Sequence, residues 1–512
     1  MTITLKSYVQ GAWHAGTGST ATLVNATTEE PMAVCSTGGI DFAGVLRHAR
    51  EVGGPALRAM TFPERAKMLK DLSGALHEHR ETLIDLSIAN AGTTRGDSKF
   101  DIDGATGTLA SYGYFGKELG DRPFLVDGEG VQLGRTARFW GRHVLVPRHG
   151  AAIHINAFNF PAWNMFEKAA CALLAGVPVI EKPGTPTGMV AWKMAEIAVE
   201  SGVLPEGSFQ LLAGSAGDLL DHVGPQDSLA FTGSSWTGRK LRSHEAVVQH
   251  GVQVNIEADS LNAAVLAPDV EIGSDTWNLF VRYVALDMRQ KTGQKCTAVR
   301  RILAPAERLA EVRDALVAEL GGIVTGDPAD KSTTMGPLAS AAQLKDVRAG
   351  IEQLATAAKV VHGGSQPIAE KGFFVSPTLL VASDAGGAVL HDLEVFGPCA
   401  TLMPYDGSAA QAAEIVGRGQ GGLVSSVYAN DKAWTEDVVL GLAPWHGRIW
   451  IGSDKVAEQA LPPGMVLPAS IHGGPGRAGG GEELGGLRGL SLYMQRVALQ
   501  GYKGLVENAF GE

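Results

Sequence analysis

Cys296 stands in KTGQKCTAVRR, among small and cationic residues, where a cysteine could serve as a nucleophile. A free thiol titrates near about 8.5 and is only a few per cent thiolate at neutral pH, so a catalytic one needs positive neighbours or a base. Lys295, Arg300 and Arg301 are the neighbours that could supply that field. Cys171, in ACALLAG, has the apolar helical setting of an inert core thiol, and Cys35 and Cys399 read as structural or incidental. Glu257 closes VQVNIEADS, a buried strand ending in a carboxylate. Such a group must be ion-paired, met by ordered water or raised in pKa, and a raised glutamate is a suitable general base. A salt-bridged strand end is the structural alternative. Asn159, in AFNFPAWN, follows a strand and could donate its amide to a developing oxyanion, or could simply shape a turn.

Two further segments could bind an anionic cofactor. VPVIEKPGTPTG reads as a buried strand that delivers Lys182 to its carboxyl end, where a lysine can donate to ribose hydroxyls or phosphates. In FTGSSWTGRK an apolar run stops at Gly233 and Ser234, with Gly238 within one turn. A strand that turns there into a helix presents free N–H groups and a positive dipole end to a phosphate. Taken singly, these are also a solvated lysine and a plain strand-to-helix turn, since neither G-x-G-x-x-G nor a P-loop is present.

These residues need a scaffold, and the pattern gives alternating helices and short apolar strands, the signature of a mostly parallel sheet covered by helices. Strands are predicted at 151–155, 177–180, 208–212, 229–232, 252–257 and 263–266, with helix-compatible stretches at 163–175 and 189–201 between them. A helix starts at Thr61, where T-F-P-E has capping-box spacing to Glu64, and Leu69, Leu72, Leu76, Leu83 and Leu86 follow as one apolar stripe. The glycine-rich HGGPGRAGGGEELGGLRG, 472–489, carries too many charged and apolar residues for a flexible linker and reads as an ordered loop at a site.

The chain has 512 residues, 45% of them hydrophobic and 19% charged, which allows a large core and excludes a disordered or fibrous protein. A net charge of −11 disfavours nucleic acid as a partner. The four cysteines form no C-x-x-C pair, so neither a zinc site nor a disulfide framework is expected, and reduced thiols fit a cytoplasmic setting. No secretory signal precedes residue 14, and the apolar stretch 169–180 is interrupted by Gly176 and Pro178, short of a membrane span. No metal motif is present.

Taken in order, the segments resemble the aldehyde dehydrogenase superfamily over nearly the whole chain: Asn159 in NFPAWN, Lys182 in EKP, Gly233-Ser234 in FTGS, Glu257, Cys296 in GQKCTA, and Glu394 with Phe396 in LEVFGP. Within it, IEADSLN and the glycine-rich stretch are similar to semialdehyde dehydrogenases acting on CoA thioesters in aerobic aromatic degradation, including the dehydrogenase half of the bifunctional enzyme of phenylacetate catabolism. The resemblance implies an α/β fold with a Rossmann-like cofactor domain (1–130 and 150–257), an α/β catalytic domain (258–470) and a small β oligomerisation arm (131–149 and 490–512). It implies a homodimer as the minimum assembly, Cys296 as nucleophile, Asn159 as oxyanion donor and Glu257 as base, with Lys168 and Glu483 in a proton relay. Glu167 is a further relay candidate, although consecutive helical residues usually point apart. Lys182, Thr185, Gly233, Ser234, Gly238, Glu394 and Phe396 are the residues expected to hold the cofactor.

Two departures bear on that expectation. The common pattern after the glutamate is L-G-G, whereas here it is Ala258-Asp259-Ser260, so packing beside Glu257 is expected to differ. Many NAD-specific members carry a glutamate three residues after the lysine, and here Thr185 holds that place. A carboxylate would repel a 2′-phosphate and a hydroxyl can hydrogen-bond it, so NADP is expected, with NAD a weaker substitute. Glu257 favours hydrolysis to an acid over acyl transfer to free CoA, because transfer needs no water-activating carboxylate. The expected substrate is a CoA-thioester semialdehyde. A free aliphatic or aromatic aldehyde, and a non-catalytic structural relative, remain alternatives on sequence alone.

Overall fold

A computed structural model describes residues 2–511. Five parallel strands, Gln253–Glu257, Ser228–Thr232, Ala152–Ile155, Val179–Lys182 and Phe209–Leu211, lie side by side in that order, and Ser7–Val9 and Ala12–His14 extend the sheet antiparallel. The strand expected at 177–180 begins two residues later. The Val177 N–H is committed to Ala172 O at the end of the preceding helix, and Pro178 has no N–H to give the ladder. Side chains alternate across the sheet as strand geometry requires. Ile153, Ile155, Phe231 and Ile256 pack on one face, while Ala152, Val179 and Leu211 meet the helices Phe62–Glu78, Trp163–Ala175 and Gly188–Glu200 on the other.

The Trp163–Ala175 helix is buried along its entire length, which carries Glu167 and Lys168 into the interior. Thr61 and Glu64 form the expected reciprocal cap. The stripe that follows spans two helices, because the chain leaves helical geometry at His79 and resumes at Arg80–Ala91, where Leu83 and Leu86 lie. The seven-residue step from Leu76 to Leu83 keeps both on the core side across the break.

A second seven-stranded sheet runs in the order Lys359–His362, Thr378–Val381, Cys399–Tyr405, Arg301–Pro305, Ala263–Leu266, Gly422–Tyr428 and His446–Gly452. It is parallel except at its first strand and has its own hydrophobic core. Leu125–Gln132, Phe139–Pro147 and Met494–Tyr502 form a separate antiparallel sheet in the segments expected to make the arm, its first strand starting ahead of position 131. Among the described residues no helix is long and apolar enough to cross a membrane. The carboxyl ends of the first sheet open on a cavity of about 560 Å³ lined also by Cys296, Glu394 and Phe396 from loops between strands of the second sheet, the place where ligands bind in open α/β sheets.

Candidate active site

Cys296 lines that cavity from a loop with an unusual backbone. Lys291, Thr292 and Gly293 take consecutive positive φ values of 51°, 56° and 66°. The left-handed region is costly for the first two, so tertiary contacts must hold them there. Thr292 Oγ1 donates to Gly336 O at 2.8 Å, and Lys291 Nζ meets Asp101 Oδ2 at 3.4 Å and lies 4.1 Å over the Phe160 ring. Asp101 also accepts the Trp163 N–H at 2.9 Å, which ties the cysteine loop to the start of the helix bearing Glu167. Gly293 has no alternative, since a Cβ there would stand 2.2 Å from Gly397 O.

The cations expected to activate Cys296 serve other groups. Lys295 is fully buried and turned away, with Nζ 2.7 Å from Asp287 Oδ1 and 2.8 Å from Gln290 Oε1. Arg300 donates to the carbonyls of Gly293, Lys295 and Gly397, and Arg301 to those of Leu261, Ile415 and Val416. Buried guanidinium groups need their donors satisfied, and backbone carbonyls take most of them here. The side chains that do reach the sulfur are His472, with Nε2 3.8 Å from Sγ, and Glu257. Burial and the Glu257 carboxylate hold the thiol well above its ordinary range.

Glu257 ends its strand as expected but is ion-paired: His472 Nε2 stands 3.0 Å from its Oε2, and both side chains are buried. Burial would raise the carboxyl, yet the neighbouring His472 and Lys168 overcome this and hold it below its ordinary value. His472 is correspondingly raised, burial working against it and Glu257 and Glu167 for it. Sequence reasoning missed His472. The available signal was its place at the head of the glycine-rich stretch, which proves to be a hairpin, Ile471–Gly474 with Gly481–Leu484, joined by residues 475–480 with one turn of 3-10 helix at Gly476–Ala478. The glycines let the hairpin lie directly on the backbone of the strand that ends in Glu257. A Cβ at Gly479 or Gly481 would come within 2.3 Å or 2.4 Å of Ile256 O, and Ala258 N–H donates to Ala478 O at 2.9 Å.

The relay candidates converge. Lys168 Nζ lies 3.0 Å from Glu167 Oε1 and 3.4 Å from Glu483 Oε2, so these consecutive helical residues meet through the long lysine stem rather than pointing apart. Carboxylate oxygens of Glu167, Glu257 and Glu483 fall within 4.8 Å of one another. Asn255 Nδ2 fixes Glu483 at 2.9 Å. Burial dominates the environment of Glu167 and raises its carboxyl despite Lys168, while the acidic neighbours overcome burial at Lys168 and keep its ammonium protonated. Asn159 lines the cavity beside Cys296, its amide donating to Gln294 O at 3.0 Å and its oxygen 3.5 Å from Asn164 Nδ2.

Gly233, Ser234, Lys182, Glu394 and Phe396 also line this cavity. Ser234 caps the helix Ser235–Arg242, accepting from Thr237 N–H at 3.3 Å. Gly238 faces the sheet instead, where a Cβ would stand 2.8 Å from Ile256 Cγ2. Asp259, the departure noted after Glu257, accepts from Ser235 N at 2.9 Å and Ser235 Oγ at 2.6 Å, so a carboxylate sits at the helix end aimed at the cavity. Lys182 Nζ donates to Pro183 O at 3.1 Å and has no acidic partner among the described residues, so donors remain for a ligand. Glu394, pushed up to about 7 by burial against the opposing Arg300, accepts the Ser260 N–H at 3.0 Å. Phe396 packs edge-to-face with Phe158 at 5.9 Å. Thr185 opens on an adjoining cleft of about 610 Å³, lined also by Thr37, Gly214 and Ser215.

The sequence model of the aldehyde dehydrogenase family matches residues 13–496. A 3,4-dehydroadipyl-CoA semialdehyde dehydrogenase of Aromatoleum evansii is 44% identical over 479 residues, covering 92% of this chain and 93% of that one. Lactaldehyde dehydrogenase of Escherichia coli superposes with a TM-score of 0.85 at 22% identity, over 98% of this chain and 99% of its own. An aldehyde dehydrogenase of Bacillus cereus in complex with NAD+ superposes with a TM-score of 0.84 at 23% identity, covering 98% and 96%. With a partly exposed cysteine, a buried glutamate and a lysine-bearing strand end around one cavity, the chain belongs to the aldehyde dehydrogenase family and is an NAD(P)-dependent enzyme of it.

Proposed function

We propose that this enzyme oxidises a CoA-thioester semialdehyde, of the 3,4-dehydroadipyl-CoA type, to the carboxylic acid with NADP as acceptor. The observation that carries the hydrolytic reading is the buried Glu257 carboxylate beside the Cys296 sulfur. Cys296 attacks the aldehyde carbon, and the Asn159 amide with the Cys296 backbone N–H holds the resulting oxyanion. When bound, the dinucleotide accepts hydride. Cys296 is left as a thioester, and Glu257 takes a proton from the water that hydrolyses it. Lys168 joins Glu167 and Glu483 at 3.0 Å and 3.4 Å, their carboxylate oxygens lie within 4.8 Å of that of Glu257, and the three would carry its proton away. Lys182, Ser234, Gly233, Glu394 and Phe396 would hold the dinucleotide, with Thr185 at its adenosine end.

The similarity to the Aromatoleum evansii enzyme supports the CoA-linked substrate over a free aldehyde. Remote binding energy raises turnover only when the remote part is present. Measured kcat/KM is therefore expected to exceed that of the corresponding semialdehyde lacking CoA by at least about a hundredfold. Equal values would favour the free-aldehyde reading.

For the cofactor, Thr37, Thr185 and Ser215 line the adjoining cleft, and Lys182 has donors to spare. Thr185→Glu is expected to lower kcat/KM for NADP about tenfold or more relative to NAD, since a carboxylate there repels a 2′-phosphate. An unchanged ratio, or a parent that prefers NAD, would contradict the assignment. A dimer follows from the arm, where Val131, Phe139 and Val497 are exposed on a sheet whose edge strands lack partners among the described residues. The domains are proposed to divide as the sheets do, at the turn between Glu257 and Ala263.

A further inference from the structure

Among the described residues, His472 is the titratable side chain that stands against both the nucleophile and the base, and neither step above uses it. Its Nε2 is 3.8 Å from Cys296 Sγ and 3.0 Å from Glu257 Oε2, and the three groups lie within 4.8 Å of one another. Glu257 Oε2 is buried and accepts no aligned hydrogen bond, so its contact with the ring is one of charge. The sulfur is the other neighbour of that ring nitrogen, so a modest turn of the ring would move its N–H from one to the other.

Resting on the acyl-enzyme path, we propose that His472 is a catalytic residue: as an imidazolium it is the counter-ion that receives and holds the Cys296 thiolate. The S–H bond breaks, the electron pair stays on sulfur, and the proton forms an O–H bond on Glu257. His472 keeps both ring protons, and its Nε2–H turns from the now neutral carboxyl to the sulfur anion. Before the transfer the charges are Glu257 negative and His472 positive. Afterwards they are Cys296 negative and His472 positive. The trio stays neutral throughout, which a buried site favours because an unpaired charge there is heavily penalised. This also resolves how a thiol raised by its neighbouring carboxylate can act as a nucleophile: the same carboxylate removes the proton, and the cation that held the carboxylate then holds the sulfur.

The charge setting favours the protonated ring. His472 faces Glu257 from its strand, Cys296 from its loop, Glu167 and Lys168 from the buried helix, Glu483 across the hairpin, and Arg448 from the second sheet. Three carboxyl groups thus meet two permanent cations, and an imidazolium evens the count. Its position is rigid, because His472 sits in the hairpin register opposite Glu483, and Gly473 beside it leaves 2.1 Å between a notional Cβ and Gly481 O. With a pKa raised above the usual histidine value, the ring stays charged below that raised value and loses its proton only as pH rises through it.

The test is the rate of Cys296 alkylation by iodoacetamide from pH 5.5 to 9.5 in wild type, His472→Asn and His472→Gln, with the modified peptide identified by mass. Wild type is expected to keep a pH-independent reactive plateau on the acid side. Both variants are expected to lose it by about tenfold or more at pH 6.5 and to recover reactivity only as alkali ionises the free thiol. A merely structural role would leave the shape of that profile unchanged. Unfolding temperature and NADP binding show whether each variant folds, and the glutamine retains the polar volume if the asparagine does not. A variant rate at pH 6.5 within twofold of wild type overturns the role of His472 while leaving the acyl-enzyme path intact. Aldehyde oxidation that survives Cys296→Ala overturns the path itself.

Discussion

Cys296→Ala is expected to lower aldehyde oxidation by at least about 10³-fold while leaving dinucleotide binding and unfolding temperature near those of the parent. The partly exposed Cys296 lines the cavity that also presents Asn159, Glu257 and the residues proposed to hold the cofactor, so its removal takes away the proposed attacking atom and little packing. No other thiol can replace it. Cys171 and Cys399 are buried and pushed up to about 12 by that burial, and Cys35 faces the adjoining cleft beside Thr185. Steady-state rates with dinucleotide binding measured in parallel check this, and activity within tenfold of the parent would contradict it.

Glu257→Gln is expected to separate the two halves of the reaction. Removing the carboxylate removes the negative charge that raises the Cys296 thiol, so thiolate can still form through solvent. A burst of one reduced dinucleotide per subunit should persist, slowed by no more than about tenfold, while turnover falls by roughly 10²–10⁴ because no base activates the deacylating water. The enzyme then accumulates as the acyl thioester, seen as added mass on the intact protein. An unchanged steady-state rate would assign the deacylating base to another residue, with Glu167 and Glu483 the buried candidates beside it.

The parts legible in the sequence are those where one segment carries its own signal. The strands at 151–155, 229–232, 252–257 and 263–266 are apolar runs bounded by turn residues, and each lies within one residue of its place. The Thr61 cap was legible because a reciprocal hydrogen-bond pair is local by nature. What was illegible depends on where the chain comes back. Lys295, Arg300 and Arg301 are near Cys296 in sequence, but the demand of buried donors for acceptors turns them away, Lys295 to Asp287 and Gln290 and the arginines to backbone carbonyls. His472 is 176 residues from Cys296 and arrives on a hairpin that only its glycines allow against the Ile256 backbone. Likewise the convergence of Glu167 with Lys168 needs a helix buried on all sides, which places two polar neighbours in the interior together. The charge of Asp259 at the cavity-facing helix end was visible as a departure from the family pattern, though its partner Ser235 was not.

The central claim is that the acyl group is carried on Cys296. Its most direct measurement is peptide mapping of Glu257→Gln enzyme quenched after a single turnover of a CoA-thioester semialdehyde with NADP. The expected result is one adduct per subunit, labile to hydroxylamine as a thioester is, on the peptide containing GQKCTA. Stoichiometric dinucleotide reduction with no adduct there, or with the adduct on Cys35, Cys171 or Cys399, would contradict the account.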